Sequence, residues 1–295
     1  MRLPGMTPGV VAAPLPADAA AAVKGARSGP RRDPKLRRLP MEKDWPLWAI
    51  VAVQALVLVI IVALWEVAAR TGFIDGFFWS RPTSIAATFV TFFTAGDAVT
   101  DIAFTFRATV IGFLIGTAAG SLCGLSFWWS KNYAAIVQPF IICFEAIPKL
   151  ALAPLVILVF GIDVASKIAM AVALTFVIST LTTYSGVKAL DPDGERLFYS
   201  LGATRWQVFC KLVVPSCLPF IISVLRVNIG LALTGAIVGE FISSQHGLGR
   251  TILYAGATYD IALVWVAVIV LSTLAVVMYV IVSALEGVLR KGTRQ

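Results

Sequence analysis

Charged and polar side chains inside apolar stretches are the residues of this sequence that could handle an ion or a solute directly. Glu145 and Lys149 stand four residues apart in one such stretch, and Arg226 and Asn228 interrupt another. A charge at the centre of a lipid bilayer costs about 3 kcal/mol or more, so such a residue either pairs with an opposite charge or has a functional role. These four residues are therefore our candidates for lining a solute pathway.

Each charged candidate also has a purely structural interpretation. Glu145 and Lys149 are one helical turn apart and can neutralise each other on one face of a helix. Arg226 can attract an anionic solute in a water-filled cavity, or it can pair with a carboxylate or extend its charged end towards the membrane surface. The sequence leaves these alternatives open.

Motifs for catalysis, phosphate binding and metal binding are absent from the sequence. No segment matches GxxxxGK[ST], HExxH or a nucleophile elbow, so we expect no catalytic residues and no ATP hydrolysis in this chain. His246 is the only histidine and has no carboxylate or cysteine partner at ligand spacing, so we expect no metal site and a solvated loop. The four cysteines include no CxxC pair and indicate no disulfide framework. We expect the chain to bind no cofactor of its own.

The elements that must position the candidate residues are membrane-spanning helices. The chain is 59% hydrophobic and only 14% charged, whereas a soluble domain has about 25% charged residues. Six apolar stretches reach the roughly 20 residues that a helix needs to cross a bilayer, namely 46–69, 102–128, 134–160, 164–187, 217–240 and 261–287. We predict an all-α membrane protein of about six transmembrane helices, with residues 45–290 as its transmembrane domain.

The distribution of basic residues predicts the orientation of these helices. Nine Lys and Arg residues precede the first stretch, whereas the segments on the opposite face of the membrane have only four, Arg70, Arg81, Lys167 and Arg250. The positive-inside rule therefore places both termini in the cytoplasm. We predict a disordered, basic and proline-rich cytoplasmic tail at 1–44 and a cytoplasmic C-terminus at 291–295. The net charge of +8 is thus a topology signal, and we expect no nucleic-acid partner.

Proline and glycine make three predictions about helix geometry. Pro82 can open a short interfacial helix in the aromatic-rich outer segment 71–101. Pro148 belongs to a set of three prolines that predicts a kinked or broken helix at 134–160. Small residues at four-residue spacing let two helix backbones approach closely, and packing within the chain is favoured here over a subunit interface; these residues are Gly112, Gly116, Gly120 and Gly124.

The polar segment between the fourth and fifth stretches is too long for a simple turn. Asp191 can cap a short helix, Gly202 ends it, and a second amphipathic stretch runs from Ala203 to Leu212 before Pro215. We predict two short helices that meet at the glycine and form a cytoplasmic knob.

This segment resembles the cytoplasmic coupling loop of permease subunits in bacterial binding-protein-dependent ABC importers. The loop of that family reads Glu-Ala-Ala, three residues, Gly, nine residues and then Ile-x-Leu-Pro. Here nine residues separate Gly202 from a sequence that runs from Leu212 to Pro215. The Glu-Ala-Ala triplet is the departure, because Arg196, Leu197 and Phe198 occupy its positions and Glu195 lies one residue early.

The resemblance extends over about residues 46–290 and implies a type I ABC importer-like fold in a bacterial inner membrane. It implies a second permease chain, expected to be identical, separate ATP-binding subunits that hold ATP and Mg, and a periplasmic solute-binding protein. Residues 188–216 would contact the ATP-binding subunits, and the residues expected to do so are Gly202, Ala203, Thr204, Arg205, Trp206, Leu212 and Pro215.

Three further segments resemble the branch of this family that imports sulfonates, taurine, nitrate or bicarbonate, and pyrimidine-type vitamin precursors. They read RPTSIAATFVTFF, IPKLALAPLVILVFGI and GEFISSQHGLG. The expected cargo is a small anion such as a sulfonate, with a vitamin or pyrimidine precursor as the alternative. A rival interpretation is an ATP-independent carrier or pore that uses Glu145, Lys149 and Arg226. The glycine and proline spacing of the coupling loop disfavours it.

Overall fold

The computed structural model describes residues 46–95 and 97–292, and all regular secondary structure in these ranges is helical. Its α-helices, in chain order, are α1 (Leu47–Arg70), α2 (Gly76–Trp79), α3 (Pro82–Ala95), α4 (Ala98–Ser126), α5 (Lys131–Ala146), α6 (Ala153–Phe160), α7 (Val164–Lys188), α8 (Pro192–Ser200), α9 (Arg205–Val208), α10 (Val214–Ile242), α11 (Leu248–Ala257) and α12 (Ile261–Gly292). The predicted tail 1–44 and the last three residues of the chain lie outside the described residues.

Five of the described helical segments are long and apolar enough to cross a membrane, and a sixth crossing results if the bent pair α5 and α6 is counted as one. The prediction of an all-helical membrane protein with about six crossings is therefore confirmed. Contacts divide the chain into two units, residues 1–57 and 58–295, with the boundary inside α1. All packing described below lies within the second unit.

The centre of the second unit consists of α4, α7 and α10, which pack against one another. A Cβ atom added at Gly112, Gly116, Gly120 or Gly124 of α4 would collide with backbone or side-chain atoms of α7. The glycine face is therefore a packing surface within the chain, as the sequence favoured. Gly235 of α10 also approaches α7 closely, and an added Cβ there would lie 2.7 Å from the Ala171 Cα. Close backbone approach of both helices to α7 supplies the dispersion contacts that hold helices together in lipid.

Hydroxyl side chains fill the narrow space between these helices. Their donors are satisfied mostly within their own helix; for example, Thr109 donates to the Thr105 carbonyl at 2.7 Å and Ser179 to the Thr175 carbonyl at 2.8 Å. A Ser or Thr hydroxyl that bonds to a carbonyl one turn earlier can be buried without a partner on another helix. The small polar residues of α4 and α7 thus permit close packing at little desolvation cost.

The apolar stretch that α5 and α6 cover is broken, as predicted. Helix α5 ends at Ala146, a short 3-10 turn covers Lys149–Leu152, and the two arms of the segment meet at 82°. Pro148 lies at the break, where its missing N–H and its ring prevent a continuous helix. The segment is therefore a pair of half-helices.

Helix α3 begins at Pro82, as the sequence predicted, and α1 holds its first turn. The Glu66 carboxylate accepts hydrogen bonds from the Thr83 N–H at 3.1 Å and from the Thr83 hydroxyl at 3.0 Å. The first N–H groups of a helix have no partner within the helix, so a carboxylate from another helix can serve as their cap. Arg70 donates to the same carboxylate at 2.5 Å.

Candidate functional site: the coupling segment and the intramembrane charges

The polar segment that follows α7, residues 188–216, resembles the coupling loop of the family and is called the coupling segment below. It forms two short helices on either side of Gly202, as predicted. Asp191 accepts a hydrogen bond from the Asp193 N–H at 2.9 Å and so caps α8. The second predicted stretch differs in form, because α9 covers only Arg205–Val208 and a π-helical turn, Phe209–Val213, leads into α10. Pro215 has no N–H to donate, so the regular α-helical pattern cannot pass through it, and the wider turn directly precedes it.

Gly202 ends α8 in a left-handed turn. Its φ is +79°, the Ala203 N–H bonds to the Phe198 carbonyl at 3.0 Å, and the Gly202 N–H bonds to the Tyr199 carbonyl at 3.0 Å. These two hydrogen bonds define a Schellman C-cap, in which glycine is favoured because it has no Cβ. A Cβ added at Gly202 would meet nothing within 4 Å. The backbone conformation therefore favours glycine, while the space beside it is open.

A capping box fixes the start of α9. The Gln207 N–H donates to the Thr204 hydroxyl at 3.3 Å, and the Thr204 N–H donates to the Gln207 side-chain carbonyl at 2.8 Å. Two otherwise unsatisfied donors are paired in this reciprocal arrangement. The turn at Gly202 and the cap at Thr204 together leave little freedom to the four residues between α8 and α9.

Aromatic residues support the base of α9 and leave its outer surface exposed. Arg205 donates to the Trp129 carbonyl at 2.6 Å, and its guanidinium lies 5.6 Å from the centre of the Trp128 ring. The Trp206 ring stacks on Phe209 at 5.5 Å, yet Trp206 remains 62% exposed and Leu201 78% exposed. Leu212 lies inward, next to Gly194 of α8. The segment thus presents a supported apolar tip with nothing from the described chain covering it.

Glu145 and Lys149 form an ion pair across the break between α5 and α6. The Lys149 ammonium donates to the Glu145 carboxylate at 2.9 Å and to the Glu145 backbone carbonyl at 3.1 Å. That carbonyl belongs to the last turn of α5, where no further N–H of the helix can reach it. Lys149 therefore neutralises Glu145 and caps the helix end with one group.

Arg226 pairs with Glu286 of α12 at 2.6 Å, and its guanidinium lies 5.7 Å from the centre of the Tyr279 ring. The Glu286 side chain is almost fully buried, while that of Arg226 is 41% exposed. The pairing with a carboxylate is one of the three alternatives that the sequence left open. The exposed part of the guanidinium still allows contact with a solute.

Asn228 lies between helices and away from any surface. It is fully buried, and its amide donates to the Thr117 hydroxyl at 2.8 Å and to the Ser179 hydroxyl at 2.6 Å. These bonds join α10 to α4 and α7. No hydrogen bond or ion pair in the described residues connects Asn228 or Arg226 with the Glu145–Lys149 pair. The four pathway candidates thus occupy three separate environments.

A buried polar network at the opposite end of α10 from the coupling segment was missed by the sequence analysis. The Asp101 carboxylate accepts from the Gly247 N–H at 2.8 Å and the Thr251 hydroxyl at 2.7 Å. The Glu240 carboxylate accepts from the Thr105 hydroxyl at 2.8 Å and the Gly249 N–H at 2.7 Å. The one local signal in the sequence was the pair of glycines in HGLG, since glycine allows close approach of a neighbouring group. In the structure a Cβ on Gly249 would come within 2.9 Å of Glu240.

Lys167 and His246 adjoin this network in different ways. Lys167 is fully buried and donates to the carbonyls of Ile162 and Ser243 at 2.5 Å each. The sequence analysis counted it among the outer-face basic residues, which gave no indication that two loop carbonyls would enclose its ammonium. His246 is exposed, with its Nδ1 3.9 Å from the Asp101 carboxylate. Lys167 ties the start of α7 to the loop after α10.

Residues 112–294 match the family described as the binding-protein-dependent transport system inner membrane component. The match covers more than half of the chain and includes the coupling segment and α10 to α12. The chain belongs to this family. It is therefore a membrane component of the ABC transporter class, and its resemblance to ABC importer permeases is confirmed.

Named relatives of this permease transport different solutes. The formylaminopyrimidine transport permease ThiX of Halalkalibacterium halodurans is 36% identical over 179 residues, which are 61% of this chain and 72% of the relative. The taurine transport permease TauC of Escherichia coli is 26% identical over 242 residues, which are 80% of this chain and 88% of the relative. These names agree with the predicted branch of the family.

Solved structures show the same fold. The permease resembles a chain of a bacterial ABC transporter involved in the import of the acidic polysaccharide alginate, with a TM-score of 0.58 and 19% identity over 83% of this chain and 96% of that chain. The fold is that of type I ABC importer permeases, as predicted. In this family the ATPase lies in separate subunits, and no enzymatic role is indicated for the permease.

Proposed function

We propose that the permease forms the translocation path for a small solute and couples it to ATP-binding subunits through residues 188–216. The observation that carries the proposal is the exposed tip of the coupling segment. A Schellman turn at Gly202 and a capping box at Thr204 hold this tip rigidly, and Trp206 remains 62% exposed on it. Exposed aromatic residues on a rigid support are typical anchors of protein interfaces.

Coupling then works by differential contact. The tip inserts into a groove on each ATP-binding subunit, and closure of those subunits on ATP and Mg moves the tip together with α7 and α10, to which it is joined. Rigid-body movement of packed helices can switch access between the two faces of the membrane. The glycine faces on α4 and α10 favour movement as a unit, because tightly packed helices do not deform continuously.

Membership of the family supports the remaining parts of the proposed assembly. A second permease chain, identical to this one, completes the path, and a periplasmic solute-binding protein delivers the cargo at the outer face. Both termini lie in the cytoplasm of a bacterium, as the positive-inside rule predicts. ATP and Mg are held by the partner subunits.

The cargo is a small organic or inorganic anion such as a sulfonate. The support is TauC, whose named solute, taurine, carries a sulfonate, together with the partly exposed Arg226. A pyrimidine-type vitamin precursor is the second candidate, and the relative ThiX, at 36% identity, favours it. Membership of the ABC transporter family disfavours the ATP-independent carrier or pore.

The docking proposal predicts that Gly202→Trp abolishes binding of the ATP-binding subunit while the permease stays in the membrane. The indole would occupy the open space beside the turn, where the partner has to fit. Gly202→Asn is the matched control, since asparagine adopts the left-handed conformation better than other residues and adds little bulk. The measurement is stoichiometric co-purification of tagged permease from native membranes in mild detergent.

Wild type and Gly202→Asn should retain the ATP-binding subunit, and Gly202→Trp should lose it together with uptake. Equal recovery from all three proteins would show that the tip is not the docking surface. A wild-type permease that purifies with no ATP-binding subunit would overturn the proposed function itself.

The pathway proposal predicts that Lys149→Ala and Arg226→Ala each lower uptake of an anionic solute by about tenfold or more, because each removes a cation from the path. Lys149→Arg and Arg226→Lys keep the charge and should restore most of the uptake. Arg250→Ala, on the exposed outer surface, is the control for loss of a cation elsewhere. Uptake of the anion by cells with equal membrane abundance of each variant is the measurement; full activity of both alanine variants would leave only the structural roles.

A further inference from the structure

A cavity of about 650 Å³ lies where the ends of α4, α5 and α7 meet the coupling segment. Its wall carries three basic side chains, Lys131, Lys188 and Arg205, and one acidic side chain, Glu195. None of the four pathway candidates lines this cavity. Of the residues expected to contact the ATP-binding subunits, Arg205 alone lines it. The cavity is thus a second feature beside the coupling tip, with its own positive charge.

The three cations of the cavity have no acidic partner in the described residues. None of them takes part in an ion pair there within 4.0 Å. Lys188 lies 4.4 Å from the centre of the Tyr184 ring, and Arg205 uses one of its N–H groups for the Trp129 carbonyl. The guanidinium has five N–H donors, so four remain for another acceptor. The cavity therefore has a net positive charge, three cations against the one carboxylate of Glu195, and several unused donors.

The position of the cavity relates it to the membrane surface. The two candidate membrane spans Ala98–Trp129 and Val164–Lys188 both end in its wall. Trp128, Trp129 and Tyr184 line it, and rings of this kind are enriched where hydrocarbon meets water. The cavity is accordingly at the depth of lipid headgroups.

Helix α5 leaves the cavity with an apolar surface. Ile136, Phe140 and Ile142 are each more than half exposed along it, while Lys131 at its first residue and Gln138 near its middle line the cavity. A ligand with an anionic head and hydrocarbon tails would contact both the cations of the cavity and the apolar surface of α5. A small hydrophilic anion would contact only the cations.

We infer that this cavity binds the phosphate of an anionic phospholipid headgroup, with Lys131, Lys188 and Arg205 as its cationic contacts. The assignment of the cavity to the cytoplasmic leaflet rests on the proposed orientation, whereas the lipid contact does not. Because Arg205 also contacts Trp129 below the coupling tip, a bound phosphate stabilises the same residues that position α9. Anionic lipid would thereby support the shape of the docking surface.

The test is retention of lipid by the full-length permease, purified in detergent with added phosphatidylglycerol or phosphatidylcholine and measured by native mass spectrometry. The double variant Lys131→Gln/Lys188→Gln should bind phosphatidylglycerol about 30-fold more weakly than wild type, from the effect of basic residues near an anionic surface. Lys211→Gln removes an exposed cation of the coupling segment that does not line the cavity, and it should bind as wild type does.

Equal retention by the double variant and the wild type would overturn the inference, as would equal binding of phosphatidylcholine. Displacement of the lipid by millimolar inorganic phosphate would instead make the cavity a site for free anions. If the double variant keeps its lipid but loses the ATP-binding subunit, the cations bind an acidic surface of that subunit and the lipid assignment is wrong. Lipid retention is measured without the ATP-binding subunit, so its outcome is independent of the Gly202→Trp experiment.

Discussion

At several positions in this permease, the small volume of a residue matters as much as the charge of its neighbours. On α4 the glycine face admits the backbone of α7, and in the first turn of α11 Gly249 admits the carboxylate of Glu240. Asn228 shows the complementary case, in which a polar side chain is accepted in the centre because two hydroxyls receive its hydrogen bonds. At this scale the constraint is steric fit, and it can be tested by adding one methyl group.

Gly116→Ala should lower the stability of the folded permease by about 1–3 kcal/mol, the usual cost of overpacking a dense core. The added Cβ would collide with the hydroxyl of Thr175, and the nearest backbone atom, the Val172 Cα, is 3.1 Å away. Gly230→Ala is the control, because it also lies in a long membrane helix and a Cβ there meets nothing within 4 Å. The measurement is the thermal midpoint in detergent.

Gly116→Ala should shift this midpoint down, and Gly230→Ala should leave it unchanged or raise it, since alanine favours helix more than glycine does. Equal shifts for the two variants would show that the close approach of α4 and α7 contributes nothing to stability.

Helices in this permease are begun, ended and broken by identifiable groups. Lys149 caps the end of α5 beyond the break at Pro148, Thr204 caps α9, and Gly202 closes α8. The start of α3 is held by a carboxylate from another helix, Glu66. An element whose cap belongs to a different helix is fixed in orientation as well as in length.

Glu66→Ala should detach the first turn of α3, because the Thr83 N–H and hydroxyl lose the carboxylate that accepts their hydrogen bonds. Backbone amides of α3 near Thr83 should then exchange their hydrogen for deuterium faster. The control is Asp193→Ala, which removes the acid of another Arg ion pair, but one whose side chains are 80% exposed; such surface pairs contribute little. Unchanged exchange at Thr83 in Glu66→Ala would mean that α3 needs no cap from α1.

For the molecule as a whole, two polar regions lie at opposite ends of the central helices. The coupling segment lies at the end shared by α7 and α10, and the network of Asp101, Glu240 and Lys167 lies at the other. Between them the chain exposes apolar side chains, which is the expected surface in lipid. The two polar ends should therefore face opposite sides of the membrane.

Cysteine labelling tests this orientation. In a variant with alanine at Cys123, Cys143, Cys210 and Cys217, Gln245→Cys should react with a membrane-impermeant maleimide in intact spheroplasts. Leu201→Cys, on the exposed coupling tip, should react only in inside-out vesicles. The reverse pattern would invert the predicted topology and place the tip on the wrong side for an ATP-binding partner.

The helices, the break at Pro148 and the two short helices around Gly202 were predictable, since each depends on residues close together in the chain. Apolar length sets a crossing, proline breaks one, and the spacing from Gly202 to Pro215 matches that of the coupling loop. The ion pair of Glu145 and Lys149 was one of two stated alternatives, and its four-residue spacing made it visible. These features follow from local geometry alone.

Tertiary structure alone decided the environment of the buried polar residues. Asp101 bonds to Gly247, 146 residues away, and Asn228 bonds to Thr117, 111 residues away. Nothing in the periodicity of either segment indicates which distant donor or acceptor will be brought to it. The sequence by itself determined that the chain crosses a membrane in helices and carries a segment that resembles the coupling loop of the family. Only the packing of α4, α7 and α10 determined which polar groups those helices enclose, because a buried amide or carboxylate that its own helix cannot pair is tolerated only where a partner arrives from elsewhere in the chain.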